Sequence, residues 1–334
     1  MKTRAVMFTE KQKAEVVNQD VADPGPGEAL VETEISLVST GTECYCYRGE
    51  FDEGTNWINW VRYPFAPGYS SVGRVVAVGP TEGQATVEVG QRVFAGWRHC
   101  GHAVRSVDLL TPVPDDLTAE QASWSALSYI TQSAVRQGRH VMGGTAVVIG
   151  LGPVGQLVTR YLGVLGLREV MAVDTVGGRL EMAARHGATA TFEGSAADAK
   201  PFVLEHTDGE LADVVYDATG HFSVLPLALP LPRPHGRVVL LGDSPHPTRQ
   251  HLTGDLLTRQ INIVGTHNAS MPPEHAWWTA PRQIRLFYRY LQQGKIRIDD
   301  LISHRHDPED APTVYESLFK DRSGTLGVLF DWRS

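Results

Sequence analysis

The run Gly150-Leu151-Gly152-Pro153-Val154-Gly155 carries the clearest chemistry in this chain. Its glycine spacing lets a backbone turn press against the pyrophosphate of a dinucleotide. Gly150 permits the tight turn out of a strand, Gly152 leaves room for phosphate oxygens, and Gly155 lets the following helix approach the sheet. Pro153 suits a helix start, because its φ is already helical and its missing N–H would have been an orphan donor. The amides beside it, from Val154 onward, attract anionic oxygen through hydrogen bonds and the helix dipole.

Any strand-to-helix turn can contain such glycines, so the flanking residues decide. Thr145 to Ile149 is an unbroken run of the kind found in a central parallel strand buried on both faces. Beyond the turn, Val154, Leu157, Val158, Tyr161 and Leu162 recur at helical spacing. A second strand, Val170 to Val173, ends at Asp174, placed to accept hydrogen bonds from ribose hydroxyls. That favours NAD over NADP, whose 2′-phosphate would meet a like charge; Arg179, further on, keeps dual specificity open. The expected cofactor set is Gly150, Gly152, Pro153, Val154, Gly155, Asp174, Arg179, Thr219, Gly242 and His267.

The elements that must position these residues continue the strand–helix alternation. Strands are expected at Asp213–Asp217, Arg237–Leu241 and Ile261–Val264, which makes residues 124–268 a doubly wound domain with a parallel sheet. Earlier, Glu28–Leu37, Gly73–Val78 and Gly90–Phe94 read as strands of an antiparallel β module separated by Pro and Gly turns. Pro281 to Gly294 predicts a helix, and Thr325 to Phe330 a closing strand that returns to the first module. The second domain is therefore residues 1–123 plus 269–334, with the nucleotide domain inserted in it.

The 334 residues, 42% hydrophobic and 20% charged, suit two globular domains. A net charge of −8 and scattered Lys and Arg give no support to a nucleic-acid partner. No apolar segment is long enough to span a bilayer or serve as a signal core, and three cysteines fit a reducing compartment. A cytoplasmic protein acting on a small molecule is expected.

Several stretches together resemble the medium-chain dehydrogenase/reductase family over essentially the whole chain. They are Pro24-Gly25-Pro26-Gly27-Glu28, Pro67-Gly68-Tyr69 through Arg74-Val75, Val89-Gly90-Gln91-Arg92-Val93, the glycine turn, Asp217-Ala218-Thr219-Gly220 and Gly236-Arg237-Val238-Val239. The resemblance implies a GroES-like, barrel-type catalytic domain enclosing a hydride-transfer cleft with a Rossmann domain. It also implies a homodimer or homotetramer. Patches such as Ser39-Thr40-Gly41-Thr42-Glu43 and Tyr63-Pro64 are similar to the bacteriochlorophyllide a dehydrogenases, a zinc-lacking branch that oxidises a secondary alcohol on a large pigment.

Many family members hold a catalytic zinc, but the positions matching its ligands are here Thr40, Tyr69 with Ser70, and Ala126. Neutral hydroxyls are poor substitutes for thiolate, imidazole or carboxylate, so no metal is expected. Cys44, Cys46, His99, Cys100 and His102 offer a tetrahedral alternative if two loops met, but buried thiols are the plainer reading. Without zinc, the substrate oxygen must be held by hydrogen bonds. The resemblance gives Thr42 a hydroxyl-relay position, against the alternative of a helix cap, and aims the Tyr69 phenol into the cleft. Glu43 and Tyr45 are candidates to complete a proton path, with Glu43 alternatively an orienting group; His102 and His267 are weaker candidates. Tyr47, Phe51, Trp57, Trp60, Tyr63 and Phe65 suit either a ring-bearing substrate or core packing. The expected activity is a zinc-independent NAD(H) oxidoreductase interconverting a secondary alcohol and a ketone, on a sugar, cyclitol or other ring. The alternatives are a zinc-free enone or quinone reductase and a catalytically silent nucleotide-binding protein.

Overall fold

The computed structural model describes residues 1–80 and 87–333. Two compact units emerge: Met1–Glu50 with Gly54–Leu127 and Ile284–Ser334, and Phe51–Glu53 with Ser128–Gln283.

Unit 1 begins with a hairpin of β1 (Lys2–Glu10) and β2 (Lys13–Asp20). The long strand β3 (Glu28–Val38) leads into α1 (Thr42–Arg48) and α2 (Asn56–Trp60), after which β4 (Ser71–Val78) returns antiparallel to β3. Three shorter strands follow: β5 (Arg92–Ala95), β6 (His102–Ser106) and β7 (Thr111–Pro112). Ala29, Val31, Val75, Val93 and Trp97 form one buried cluster. Each of the three buried valines contributes about 1.5–3 kcal/mol. A reciprocal capping pair, Thr118 with Gln121, starts α3 (Ala119–Ala122), and α4 (Ser125–Gly138) follows.

Unit 2 is built on β8 (Thr145–Ile149), buried at every position as its β-branched and apolar sequence requires. Then come α5 (Pro153–Leu165), β9 (Glu169–Asp174), α6 (Gly177–Arg185), β10 (Ala190–Glu193), α7 (Lys200–Glu205) and β11 (Ala212–Asp217). After α8 (Leu225–Ala228), β12 (Pro232–Leu240), α9 (Asp255–Thr258) and β13 (Asn262–Gly265), the chain enters α10 (Ala280–Gln292). The sheet is wholly parallel, in the order β10-β9-β8-β11-β12-β13. Strand order reverses between β8 and β11, and such switch points are where open α/β sheets bind ligands.

Back in unit 1, β14 (Ile302–His306), α11 (Ala311–Lys320) and β15 (Gly327–Asp331) complete a sheet ordered β14-β15-β3-β4-β5-β7, with β6 also on β3. The closing strand pairs Val328 with Val38 and Leu329 with Leu37.

The unit limits differ from those expected at 123/124 and 268/269. Trp124 is fully buried, and its ring fills the space where a side chain on Gly327 of β15 would stand, so the chain stays in unit 1 until Leu127. Residues 269–283 belong to unit 2, because Gln132 Nε2 donates to the Gln283 carbonyl at 2.9 Å and Gln283 Nε2 to Ser133 Oγ at 3.2 Å. The Arg136 guanidinium also lies 3.4 Å from the centre of the Trp278 ring.

Candidate active site

In unit 2, the expected cofactor residues sit at or just beyond the carboxyl ends of the parallel strands. Gly150 has φ +85°, which favours glycine, and its N–H donates to the Val173 carbonyl at 2.9 Å. A Cβ on Gly155 would stand 1.9 Å from the Gly150 carbonyl oxygen, so only glycine lets α5 start this close to the turn. Gly152, the α5 N-cap, has open space where a side chain would project, and Pro153 occupies the first turn. Gly152, Pro153 and Val154 remain half-buried, whereas Gly155 is buried. An open cradle at a helix N-terminus fits the pyrophosphate of a dinucleotide.

Asp174 is more engaged than its ribose-binding expectation suggests. Its Oδ2 accepts from the Leu151 N–H at 2.6 Å and its Oδ1 from the Val176 N–H at 2.9 Å, so it braces the glycine turn. Arg179 Nη1 lies 4.0 Å from Oδ2, bringing a cation beside the acid. Thr219 donates its N–H and hydroxyl to Asp217 Oδ1 at 2.9 and 2.6 Å. Burial raises the Asp217 carboxyl above its usual range, opposed by those Thr219 hydrogen bonds. Gly242 is required by close backbone approach, because a Cβ there would meet the Gly220 nitrogen at 2.0 Å. His267 follows β13 and is exposed.

In unit 1, the segment between β3 and α1 gathers the hydroxyl groups. Gly41, rather than Thr42, caps α1, with no side-chain cap bond. The half-buried Thr42 hydroxyl makes no hydrogen bond with a described residue, which removes the capping explanation for it. Tyr69 Oη donates to Ser39 Oγ at 2.5 Å. Ser39, buried and not singled out in the sequence, also donates its N–H to Glu43 Oε1 at 2.8 Å.

Glu43 is 2% exposed and belongs to a dense polar network. Its Oε2 accepts from Tyr315 Oη at 2.5 Å and lies 3.0 Å from His99 Nε2. The other ring nitrogen of His99 is 2.7 Å from Ser36 Oγ, which also accepts from Trp332 Nε1 at 2.9 Å. Burial and the Glu43 charge hold the Tyr315 phenol far above its normal range, so it remains a donor. Glu43 thus fixes the start of α1 through the Ser39 amide. His99 and Tyr315 were missed as its partners because they lie 56 and 272 residues from it along the chain, and Ser36 because its link runs through His99, 63 residues away.

The aromatic stretch divides between two uses. Tyr47 stacks on Tyr315 at 5.9 Å and meets Phe8 edge-on at 5.4 Å, which is core packing. Tyr45 contacts the buried Trp57 at 5.9 Å; Trp57 contacts Trp60 at 5.7 Å, and Trp60 contacts Phe65 at 5.4 Å. Tyr63 Oη donates to the Cys46 carbonyl at 2.6 Å, and burial lifts its phenol to about 12.

At the zinc-matching positions, Thr40 gives its carbonyl to Arg322 Nη1 at 2.8 Å, Tyr69 binds Ser39, and Ala126 is fully buried. The cysteine–histidine alternative does not assemble. No group of three or more His, Cys, Asp or Glu among the described residues could hold a metal ion. Burial pushes the Cys44 and Cys100 thiols to about 11 and Cys46 higher still, so all three stay protonated near neutrality. His99 is committed to Ser36 and Glu43, and His102 Nδ1 lies 3.3 Å from Thr3 Oγ1.

Comparison with known proteins gives two family matches: residues 25–109 match the alcohol dehydrogenase GroES-like domain, and residues 153–280 match the zinc-binding dehydrogenase family. L-threonine 3-dehydrogenase of Pyrococcus abyssi is 26% identical over 350 aligned positions, covering 95% of this chain and 94% of the relative. A putative zinc-binding dehydrogenase of Sinorhizobium meliloti 1021, bound to NADP, superposes with a TM-score of 0.82 at 20% identity, covering 99% of both chains. An alcohol dehydrogenase of E. coli CFT073 complexed with NADH superposes with a TM-score of 0.80 at 21% identity, covering 99% of both chains.

Proposed function

The chain belongs to the medium-chain dehydrogenase/reductase superfamily, and from that premise we infer that it is a zinc-independent, NAD(H)-linked dehydrogenase interconverting a secondary alcohol and a ketone. The observation carrying this reading is the Tyr69–Ser39 hydrogen bond, formed where the family resemblance would put a metal ligand. A phenol and a serine there provide a proton path that needs no Lewis acid. Relatedness to an L-threonine dehydrogenase, whose substrate bears a secondary alcohol at carbon 3, supports the alcohol class.

Oxidation of a carbinol removes a proton from oxygen and a hydride from carbon. A bound nicotinamide would supply the hydride acceptor. With its own proton directed at Ser39 Oγ, Tyr69 Oη presents lone pairs to the substrate hydroxyl. As the substrate proton arrives, the Tyr69 proton passes to Ser39, whose own proton leaves to water. Thr42, whose hydroxyl makes no hydrogen bond among the described residues, orients the substrate oxygen. Glu43 is a positioning residue that holds Ser39 and α1, and Tyr45 belongs to the aromatic wall.

NAD is the preferred cofactor in this reading, because the Asp174 carboxylate at the end of β9 disfavours a 2′-phosphate. Arg179 limits that preference. The described residues contain no helix long and apolar enough to cross a membrane. A small-molecule enzyme, cytoplasmic and homodimeric or homotetrameric, completes the proposal. Nicotinamide absorbance with polyols, secondary alcohols, ketones and enones tests it. Turnover of secondary alcohols is expected; turnover confined to enones would overturn it.

A further inference from the structure

A pocket of about 470 Å³ opens within unit 1 and is lined by Tyr69 together with Trp60, Phe65 and three arginines, Arg62, Arg98 and Arg105. Among the described residues, no acidic side chain lines it. Arg62 and Arg98 are exposed and form no hydrogen bond or ion pair with the described residues. Arg105 spends one donor on the Gly96 carbonyl at 2.9 Å, while its buried Nε has no acceptor among the described residues. Three arginines lining one pocket, with no carboxylate beside them among the described residues, keep a local positive potential in a chain of net charge −8. The site is also firmly built. Phe65 is locked to Phe8 by two backbone hydrogen bonds of 2.7 and 2.8 Å, and Trp60 meets Phe65 edge-on at 5.4 Å. Gly68, beside Tyr69, has φ +102° and leaves no room for a Cβ, which would stand 2.6 Å from the His99 nitrogen.

We propose that this pocket selects ring-bearing alcohols carrying an oxyanion, a carboxylate or a phosphate, with the arginines holding the anion and Trp60 and Phe65 the ring. Arginine suits both anions because its planar fork binds two oxygens at once. The inference rests on the alcohol dehydrogenase reading, since Tyr69 contributes to both the pocket and the proposed proton path. It explains why positively charged side chains cluster where the aromatic stretch reaches Tyr69.

Calorimetric titration of the full chain with three matched alcohols tests it: 1-phenylethanol, 4-(1-hydroxyethyl)benzoate and 4-(1-hydroxyethyl)phenyl phosphate. At least one anionic probe should bind about tenfold more tightly than the neutral alcohol, and the tighter one identifies the anion. Arg62→Gln and Arg98→Gln should each reduce that preference, and together abolish it. Arg168→Gln, the same charge change at a remote ion pair with Asp208, should leave it intact. Trp60→Ala should weaken all three probes. Equal binding of the three, no binding of any, or an equal effect of Arg168→Gln overturns the proposal. Supplying the same alcohols with NAD separates the two readings: an intact binding preference without NADH formation overturns the dehydrogenase assignment alone.

Discussion

Alanine at Gly155 and at Gly152 should separate the two demands on the dinucleotide turn. At Gly155 a Cβ would stand 1.9 Å from the Gly150 carbonyl oxygen and 2.9 Å from its carbon, both backbone atoms. Relief requires α5 to move by about 1 Å against β8, an overpacking cost of about 1–3 kcal/mol. That lowers Tm by about 2–4 °C per kcal/mol for a domain of this size. At Gly152 the same methyl meets nothing within 4 Å, and φ −65°, ψ −174° suits alanine. Stability there should hold or rise by about 0.5 kcal/mol as the unfolded chain loses freedom. The new methyl instead enters the phosphate cradle and should weaken NADH binding about tenfold or more. Thermal melts and NADH fluorescence titrations on both variants provide the assay. Equal destabilisation by both, or wild-type NADH affinity in both, would refute the reasoning.

Thr42→Val and Tyr69→Phe should each lower turnover about 10²-fold or more with little change in NADH affinity; stopped-flow and binding data with unchanged turnover would remove Tyr69 from the proton path and Thr42 from orienting the substrate. Asp174→Ala should erode the NAD over NADP ratio of kcat/KM, and should also cost stability because the Leu151 and Val176 amides lose their acceptor. Glu43→Ala leaves His99 and Tyr315 without a buried acceptor and should cost about 3–5 kcal/mol in urea unfolding, while Tyr315→Phe should cost about 1–2 kcal/mol. Burial lowers the His140 imidazole, which contacts Tyr216 Oη at 2.7 Å, from 6.5 to about 4. Between those values the unfolded chain binds a proton that the native state refuses. Stability should therefore fall from pH 6.5 toward pH 4 by up to about 3 kcal/mol, and His140→Gln should flatten that fall.

Sequence was most legible where one element sufficed. Buried runs such as Thr145–Ile149 predicted β8 residue for residue, and the glycine spacing located the switch point of the sheet. Short or polar strands left little signal: β10 is Ala-Thr-Phe-Glu, and β14 is Ile-Ser-His-Arg-His. Their pairing comes from tertiary placement rather than alternation. In unit 1, Thr42 and Tyr69 became candidates by matching positions, but Ser39 required knowing that the Tyr69 side chain reaches back over 30 residues. Glu43 was visible as an acid, while its purpose depended on Tyr315, 272 residues away. The pocket arginines were seen only as scattered charges because Arg62, Arg98 and Arg105 come from separate segments.

Metal content and turnover measured on one sample test the account most directly. Purified protein should contain no stoichiometric zinc, and its NAD reduction with a secondary alcohol should persist after exhaustive chelation. One tightly bound zinc per chain, with activity lost on its removal and restored by its return, would contradict the account.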